Sequence, residues 1–316
     1  MLTVAEAIHE FLAAKRQEGR SPTTISQYRW HLTRLADRLA VSGQVRLDQV
    51  TRAALRNYAA DLLDDYAPAT VRVAVVSIHS WLHWCQLENY LSTDLSKALR
   101  YPRVPLRQQR TLTRHEITAL LAACDHPTDP RCLRDGAIVA TLVDSGIRRS
   151  ELIRLTLPDL DLSAGRLRVL RKGGDQTYAY VGAATVTRIE RWLTARPHVA
   201  LPNISHLYVA VGGSYPGRPL TGEGLRSILR RLGDAAGVED VSPHAFRRAF
   251  ATLRLENGDS TRAVQALGGW KKIDMVERYS QALDLSRIAR QNAPMDELDR
   301  PLAYQLPLFG ETKSDR

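Results

Sequence analysis

Apolar residues recur every three to four positions through the first hundred residues, so this stretch reads as helices only. Leu2, Val4, Ile8, Phe11 and Leu12 make one helical stripe. Ser21-Pro22 reads as an N-cap followed by a proline in the first turn. Behind it, Ile25, Tyr28, Leu32, Leu35 and Leu39 share a face. Thr51 caps a third helix through Leu63, and a fourth runs from about Pro68 to Leu87 with Val71, Val75, Ile78, Leu82 and Cys85 inward. The pattern predicts a four-helix domain over residues 1–100.

Residues 101–111 break the pattern. Pro102 and Pro105 forbid regular helix, and Arg103, Arg107 and Arg110, with Arg100 just before them, make the stretch basic. It reads as an extended linker, either solvated or lying against something negative. Helices return with the capping box Thr113-Arg-His-Glu116 and a run from about Asp129 to Ser145 that ends at Gly146. Arg166–Leu170 and Thr177–Val181 look like two strands of a hairpin turning at Gly173-Gly174-Asp175. Further helices are expected at about 184–195, 221–235, 244–256, 260–267 and 272–289. The fold class is therefore mainly α with a small antiparallel sheet. A second domain covers 112–293, and residues 294–316 form a tail with an apolar patch at Leu306–Phe309.

With 44 Lys and Arg against 34 Asp and Glu, the net charge is +10, which predicts attraction to a polyanion. Nucleic acid comes first and anionic membrane second, but no apolar run approaches the ~20 residues of a membrane span. The opening Met1-Leu-Thr-Val-Ala-Glu lacks a basic segment followed by an apolar core, so no secretory leader is expected. Cys85, Cys124 and Cys132 form no C-x-x-C pair. They argue against disulfides or a zinc site and fit a reducing cytoplasm.

Four separated elements concentrate groups that handle a phosphodiester. In Ser145-Gly-Ile-Arg148-Arg149-Ser-Glu151-Leu, one helical turn puts Arg148 and Glu151 on the same side; alone this is equally a surface ion pair. Lys172 stands at the glycine turn of the hairpin, where it is either solvated or able to bring an ammonium to a leaving oxygen. His244-Ala-Phe-Arg247, with Arg248 beside it, follows Ser242-Pro243 at a helix N-terminus, a place that favours phosphate. Phe246 and Phe250 mark the core face of that helix. Last come Leu267-Gly-Gly-Trp270 and Val276-Glu-Arg-Tyr279, with Tyr279 nine residues after Trp270. Each element singly is as easily structural.

In this order and spacing, G-I-R-R-S-E-L, K-G-G, H-A-F-R and G-W with its later tyrosine resemble the tyrosine recombinase family, whose members include phage integrases and Xer-type resolvases. The resemblance covers about 111–293, and the preceding helices match the family's SAM-like core-binding domain in size and place. It implies a C-shaped clamp on double-stranded DNA. It further implies Tyr279 as nucleophile, Arg148 and Arg247 as the phosphate clamp, Lys172 as general acid and His244 as an aid to proton transfer. Trp270 would stand where members carry His or Trp, and Glu151 would buttress the site. Two guanidiniums can bind non-bridging oxygens bidentately, so neither metal nor cofactor is required. A free phenol titrates near ~10 and needs such a cationic pocket to attack at neutral pH.

The sequence departs from the family's common pattern at Arg149, Arg171, Arg248 and Ala249. By resemblance, strand exchange runs through a 3′-phosphotyrosyl intermediate and a Holliday junction in a homotetramer on two DNA sites. The helix after Tyr279 would dock on a neighbour or fold back on its own domain, and accessory DNA-bending or directionality proteins would assist. The expected task is integration or transposition of a mobile element. The alternatives are Xer-like dimer resolution, a type IB topoisomerase, or a non-catalytic DNA-binding relative.

Overall fold

The computed structural model describes residues 2–105, 110–171 and 174–280. The chain divides between Gln108 and Gln109 into two compact units. Lys172, Arg107, residues 281–289 of the expected last helix and the tail 294–316 all lie outside the described residues.

The first unit is built from α1 (Val4–Gln17), α2 (Pro22–Val41), α3 (Arg52–Asp65) and α4 (Pro68–Leu87). Local chemistry sets their starts. Thr3 and Glu6 exchange backbone and side-chain bonds as a capping box before α1, and Ser21 accepts from Thr24 N ahead of Pro22. The inward stripes meet in one core, where Phe11, Leu32, Leu35, Ile78, Trp81 and Leu82 have no exposed surface. Each such side chain contributes about 1.5–3 kcal/mol by leaving water. Edge-on contacts from Phe11 to Tyr28 at 5.2 Å and to Trp84 at 5.7 Å tie α1 to α2 and α4.

The second unit holds α5 (Arg114–Ala122), α6 (Pro130–Ser145), α7 (Arg149–Arg154), β1 (Leu160–Asp161), β2 (Arg166–Leu170) and β3 (Gln176–Tyr180). It continues with α8 (Ala183–Ala195), α9 (Gly222–Ala236), α10 (Pro243–Glu256), α11 (Thr261–Gly268) and α12 (Asp274–Ser280). The strands form one antiparallel sheet in the order β1-β2-β3, with Leu167 opposite both Leu160 and Ala179. Leu167, Val169 and Ala179 turn inward, while Tyr178 and Tyr180 stay exposed. Helix α6 runs through the middle, buried from Arg134 to Leu142, and packs on α8 and α10. The irregular chain before α9 is held from within: Trp192 Nε1 donates to Leu207 O at 2.8 Å, and Tyr208 Oη lies 2.8 Å from Thr141 Oγ1.

A smaller apolar cluster fixes the end of the domain. Phe250, Leu255, Val264, Trp270 and Val276 are buried together, and Tyr279 packs against them. Phe246 and Phe250, at 0% and 2% exposure, form the core face of α10.

At the end of the linker stretch Arg110 lies against a negative group: its guanidinium bonds the Glu239 carbonyl and pairs with Glu116, and its own carbonyl accepts from Arg248 Nε at 2.8 Å. The neighbouring capping box brings the Glu116 carboxylate within its reach. Among the described residues, no helix is long and apolar enough to cross a membrane.

Candidate functional site

The site forms where the end of α6, the start of α7, α10 and the turn after α11 converge. Helix α6 ends at Gly146, whose φ of +56° is the left-handed cap. Ile147 is buried, and Arg148 then takes the N-cap position of α7. Glu151 is the third residue of that helix. Its Oε2 accepts the Arg148 backbone N–H at 2.8 Å, and its Oε1 accepts Nη1 of the same arginine at 2.7 Å. The surface ion pair left open by the sequence is therefore a buried brace, with the Glu151 side chain only 4% exposed.

Arg247 comes from α10 and is buried. It donates to Gly146 O at 2.5 Å and to Gly268 O at 2.7 Å. Arg148 Nη2 reaches the next carbonyl, Gly269 O, at 3.1 Å. Arg247 is thus held on the carbonyl ends of α6 and α11, and Arg148 on that of α11, groups that carry partial negative charge. Burial, and then the nearby Arg148 charge, pull the Arg247 pKa down to about 10, while Glu151 and Tyr279 push it back up. It stays charged at neutral pH.

Trp270 is buried and follows the two-glycine turn directly. Its ring lies 4.0 Å from Arg247 Cζ, within cation–π range. It stacks on Phe250 at 6.2 Å and meets the Tyr279 ring at 5.8 Å. Gly268 must lack a side chain because a Cβ there would stand 1.9 Å from the Trp270 ring. Tyr279 is half-buried on α12, its ring against the Trp270 ring that also faces Arg247.

His244 lies exposed in the first turn of α10. Partial desolvation, then the charges of Arg248, Arg247, Arg149 and Arg148, hold its pKa below the ordinary imidazole value. A phosphate in this field would reverse the electrostatic part of that shift.

The structure brings Arg148, Glu151, Arg247, Trp270 and Tyr279 together, with His244 at their edge; Lys172 is outside the described residues. Sequence reasoning missed Arg171, whose guanidinium rests on Gly269. The only hint was an arginine where the family commonly has glycine. Among the described residues, no three His, Cys, Asp or Glu side chains converge as metal ligands. What the arrangement offers is a cationic pocket beside a phenol, suited to holding a phosphodiester while an oxygen attacks it.

The phage integrase family model matches residues 110–285, and the model for the phage integrase N-terminal SAM-like domain matches residues 8–89. Tyrosine recombinase XerD of Halalkalibacterium halodurans is 30% identical over 284 residues, covering 89% of this chain and 94% of that protein. Tyrosine recombinase XerC of Myxococcus xanthus is 31% identical over 287 residues, with the same coverage of 89% and 94%. Among solved structures, the Tn1549 transposon integrase in complex with a circular intermediate DNA superposes with a TM-score of 0.74 at 19% identity, over 94% of this chain and 100% of that one. XerH recombinase bound to palindromic difH substrate gives 0.72 at 17% identity, over 89% and 82%. The two structures share the fold, the two curated relatives share the sequence along most of its length, and the chain belongs to the phage integrase family as a tyrosine site-specific recombinase.

Proposed function

We propose that Tyr279 is the nucleophile and that Arg148 and Arg247 clamp the scissile phosphate. The observation that carries this reading is the convergence of both guanidiniums on the Gly268–Gly269 turn, with the Tyr279 ring 5.8 Å from the tryptophan that follows it. As the Tyr279 oxygen attacks phosphorus its phenol proton passes to His244, a 3′-phosphotyrosyl bond forms, and the bond to the 5′ oxygen breaks. Lys172 delivers the proton to that leaving oxygen, with His244 assisting. A 5′-hydroxyl from the partner strand then attacks the phosphotyrosine, releases the tyrosine and gives a Holliday junction. The phosphodiester energy is kept in the covalent bond, so no nucleotide is consumed. Trp270 positions Arg247 and Tyr279, and Glu151 braces Arg148.

The working assembly is a homotetramer on two double-stranded DNA sites, in which head-to-tail contacts would close into a ring. The protein acts in the cytoplasm on DNA, with accessory DNA-bending or directionality proteins where the site requires them. Its expected task is integration or transposition of a mobile element. A second reading, Xer-like dimer resolution, is favoured by the likeness to XerD and XerC across nearly the whole chain.

The test incubates wild type and Tyr279→Phe with DNA from the gene's own neighbourhood, in EDTA and without ATP, and quenches with SDS. The expected result is a protein–DNA adduct with wild type only, joined through a 3′-phosphate. An adduct with Tyr279→Phe would refute the choice of nucleophile. Sequencing the recombined joint separates the tasks: an element end joined to a new target means integration, and a repeated chromosomal or plasmid site means resolution.

A further inference from the structure

Arg171 is a charged group at the site that the mechanism above leaves unused. It stands at the end of β2, its backbone N–H donating to Asp175 O at 2.9 Å across the hairpin turn. Its guanidinium lies against Gly269: a Cβ there would stand 1.4 Å from Nη1 and 1.8 Å from Cζ. Gly269 is the residue whose carbonyl holds Arg148, and Gly268 before it holds Arg247. Three guanidiniums therefore surround one two-glycine turn.

Among the described residues, Glu151 is the carboxylate seen to meet these guanidiniums, and both its oxygens are taken by Arg148. The Arg171 Nε is buried with no hydrogen-bond partner among the described residues. Desolvation, with the Arg148 charge adding to it and Glu151 opposing, lowers the Arg171 pKa. A buried donor and a poorly matched cation are unfavourable in the free protein. An anion with several acceptor oxygens relieves both at once, and a phosphodiester is such an anion.

We infer that Arg171 is a third phosphate-binding arginine, acting on the phosphodiester that Arg148 and Arg247 hold. The inference rests on the reading of Tyr279 as the nucleophile at that phosphate. It makes Arg171 a catalytic residue in the strict sense of touching substrate, alongside its structural seat on Gly269. Lysine in its place keeps the charge and loses the fork of donors.

The test uses wild type, Arg171→Ala and Arg171→Lys on DNA that wild type cleaves. Each is given the ordinary scissile phosphodiester and, separately, a methylphosphonate in which a neutral methyl replaces one anionic oxygen. Arg171→Ala is expected to slow adduct formation on the phosphodiester by about a hundredfold, and Arg171→Lys by less. On the methylphosphonate the Arg171→Ala deficit should shrink to about threefold or below, because there is less charge to neutralise. An equal deficit on both substrates would reduce Arg171 to a structural support and overturn the inference, as would a full rate on the phosphodiester. If Arg171→Ala does not fold, the same comparison is made with Arg171→Lys, whose smaller deficit must also shrink. A wild type that forms no adduct on any DNA it binds would remove the Tyr279 reading instead, and the inference with it.

Discussion

Two glycines at the site cap helices in the left-handed region, yet they should respond differently to a methyl group. Gly146 has φ +56° and Gly269 has φ +65°, so alanine at either position carries a backbone cost of about 1–2 kcal/mol. The surroundings then decide. A Cβ at Gly146 would stand 2.4 Å from Phe250 Cδ1 and 2.6 Å from Cγ, and Phe250 is only 2% exposed. That ring is fixed by its stack on Trp270, so it yields only by disturbing the core, which adds about 1–3 kcal/mol. A Cβ at Gly269 meets the far end of the Arg171 side chain, which can swing away. Gly146→Ala should therefore cost about 2–5 kcal/mol and Gly269→Ala about 1–2 kcal/mol. At about 2–4 °C per kcal/mol for a domain of this size, thermal melting followed by near-ultraviolet circular dichroism resolves the difference. Gly146→Ala melting at or above Gly269→Ala would refute the reasoning, because it would mean that Phe250 moves freely.

Asp135 is 1% exposed and bonds Arg134 on one oxygen at 2.7 Å and Arg231 on the other. Asp135→Ala strands the buried Arg134 and should cost about 3–5 kcal/mol in urea unfolding, while adduct formation well below the midpoint stays near wild type; an unchanged midpoint would refute it. His244 has a folded pKa below its unfolded value, so its neutral form contributes stability above the unfolded pKa near 6.5 that is lost as pH falls below it. Melting of wild type relative to His244→Gln should drop as pH goes from 7.5 to about 5, and parallel pH curves would contradict that shift.

The parts of the fold that were legible in the sequence are those fixed by neighbours in the chain. Ser21-Pro22, Thr113 with Glu116, and Ser242-Pro243 each start a helix through bonds made within one turn, and the helices begin there. Strand β1 escaped because its two residues, Leu160 and Asp161, are strand only by pairing with Leu167 and Arg166. The stretch before α9 escaped for a similar reason: Arg196 and Trp192 hold its carbonyls, and no periodicity announces that. At the site, the residue types and spacing pointed to Arg148, Arg247 and Tyr279, but not to how they are held. Glu151 could be a surface partner or a buried brace until the position of α7 was known. Arg171 sits in the turn by sequence, yet its guanidinium belongs to a glycine almost a hundred residues later.

On the proposed reading of the site, the way the arginines are held would leave the cationic cluster formed before DNA arrives. Gly146 ends α6, and Gly268 and Gly269 end α11, so the three carbonyls that accept from Arg247 and Arg148 are helix-terminal groups lacking a full set of intrahelical partners. Each arginine satisfies them while keeping further N–H donors in its guanidinium, which carries five. Arg247 thereby ties the end of one helix to the end of another, and the second of these leads straight into Trp270 and on to Tyr279. Displacing either glycine turn must move a guanidinium and the aromatic ring beside it together. The same bonds that close two helices thus set the distance between the cations and the phenol, and if the proposed site is right, little reorganisation is left for the moment a phosphate enters.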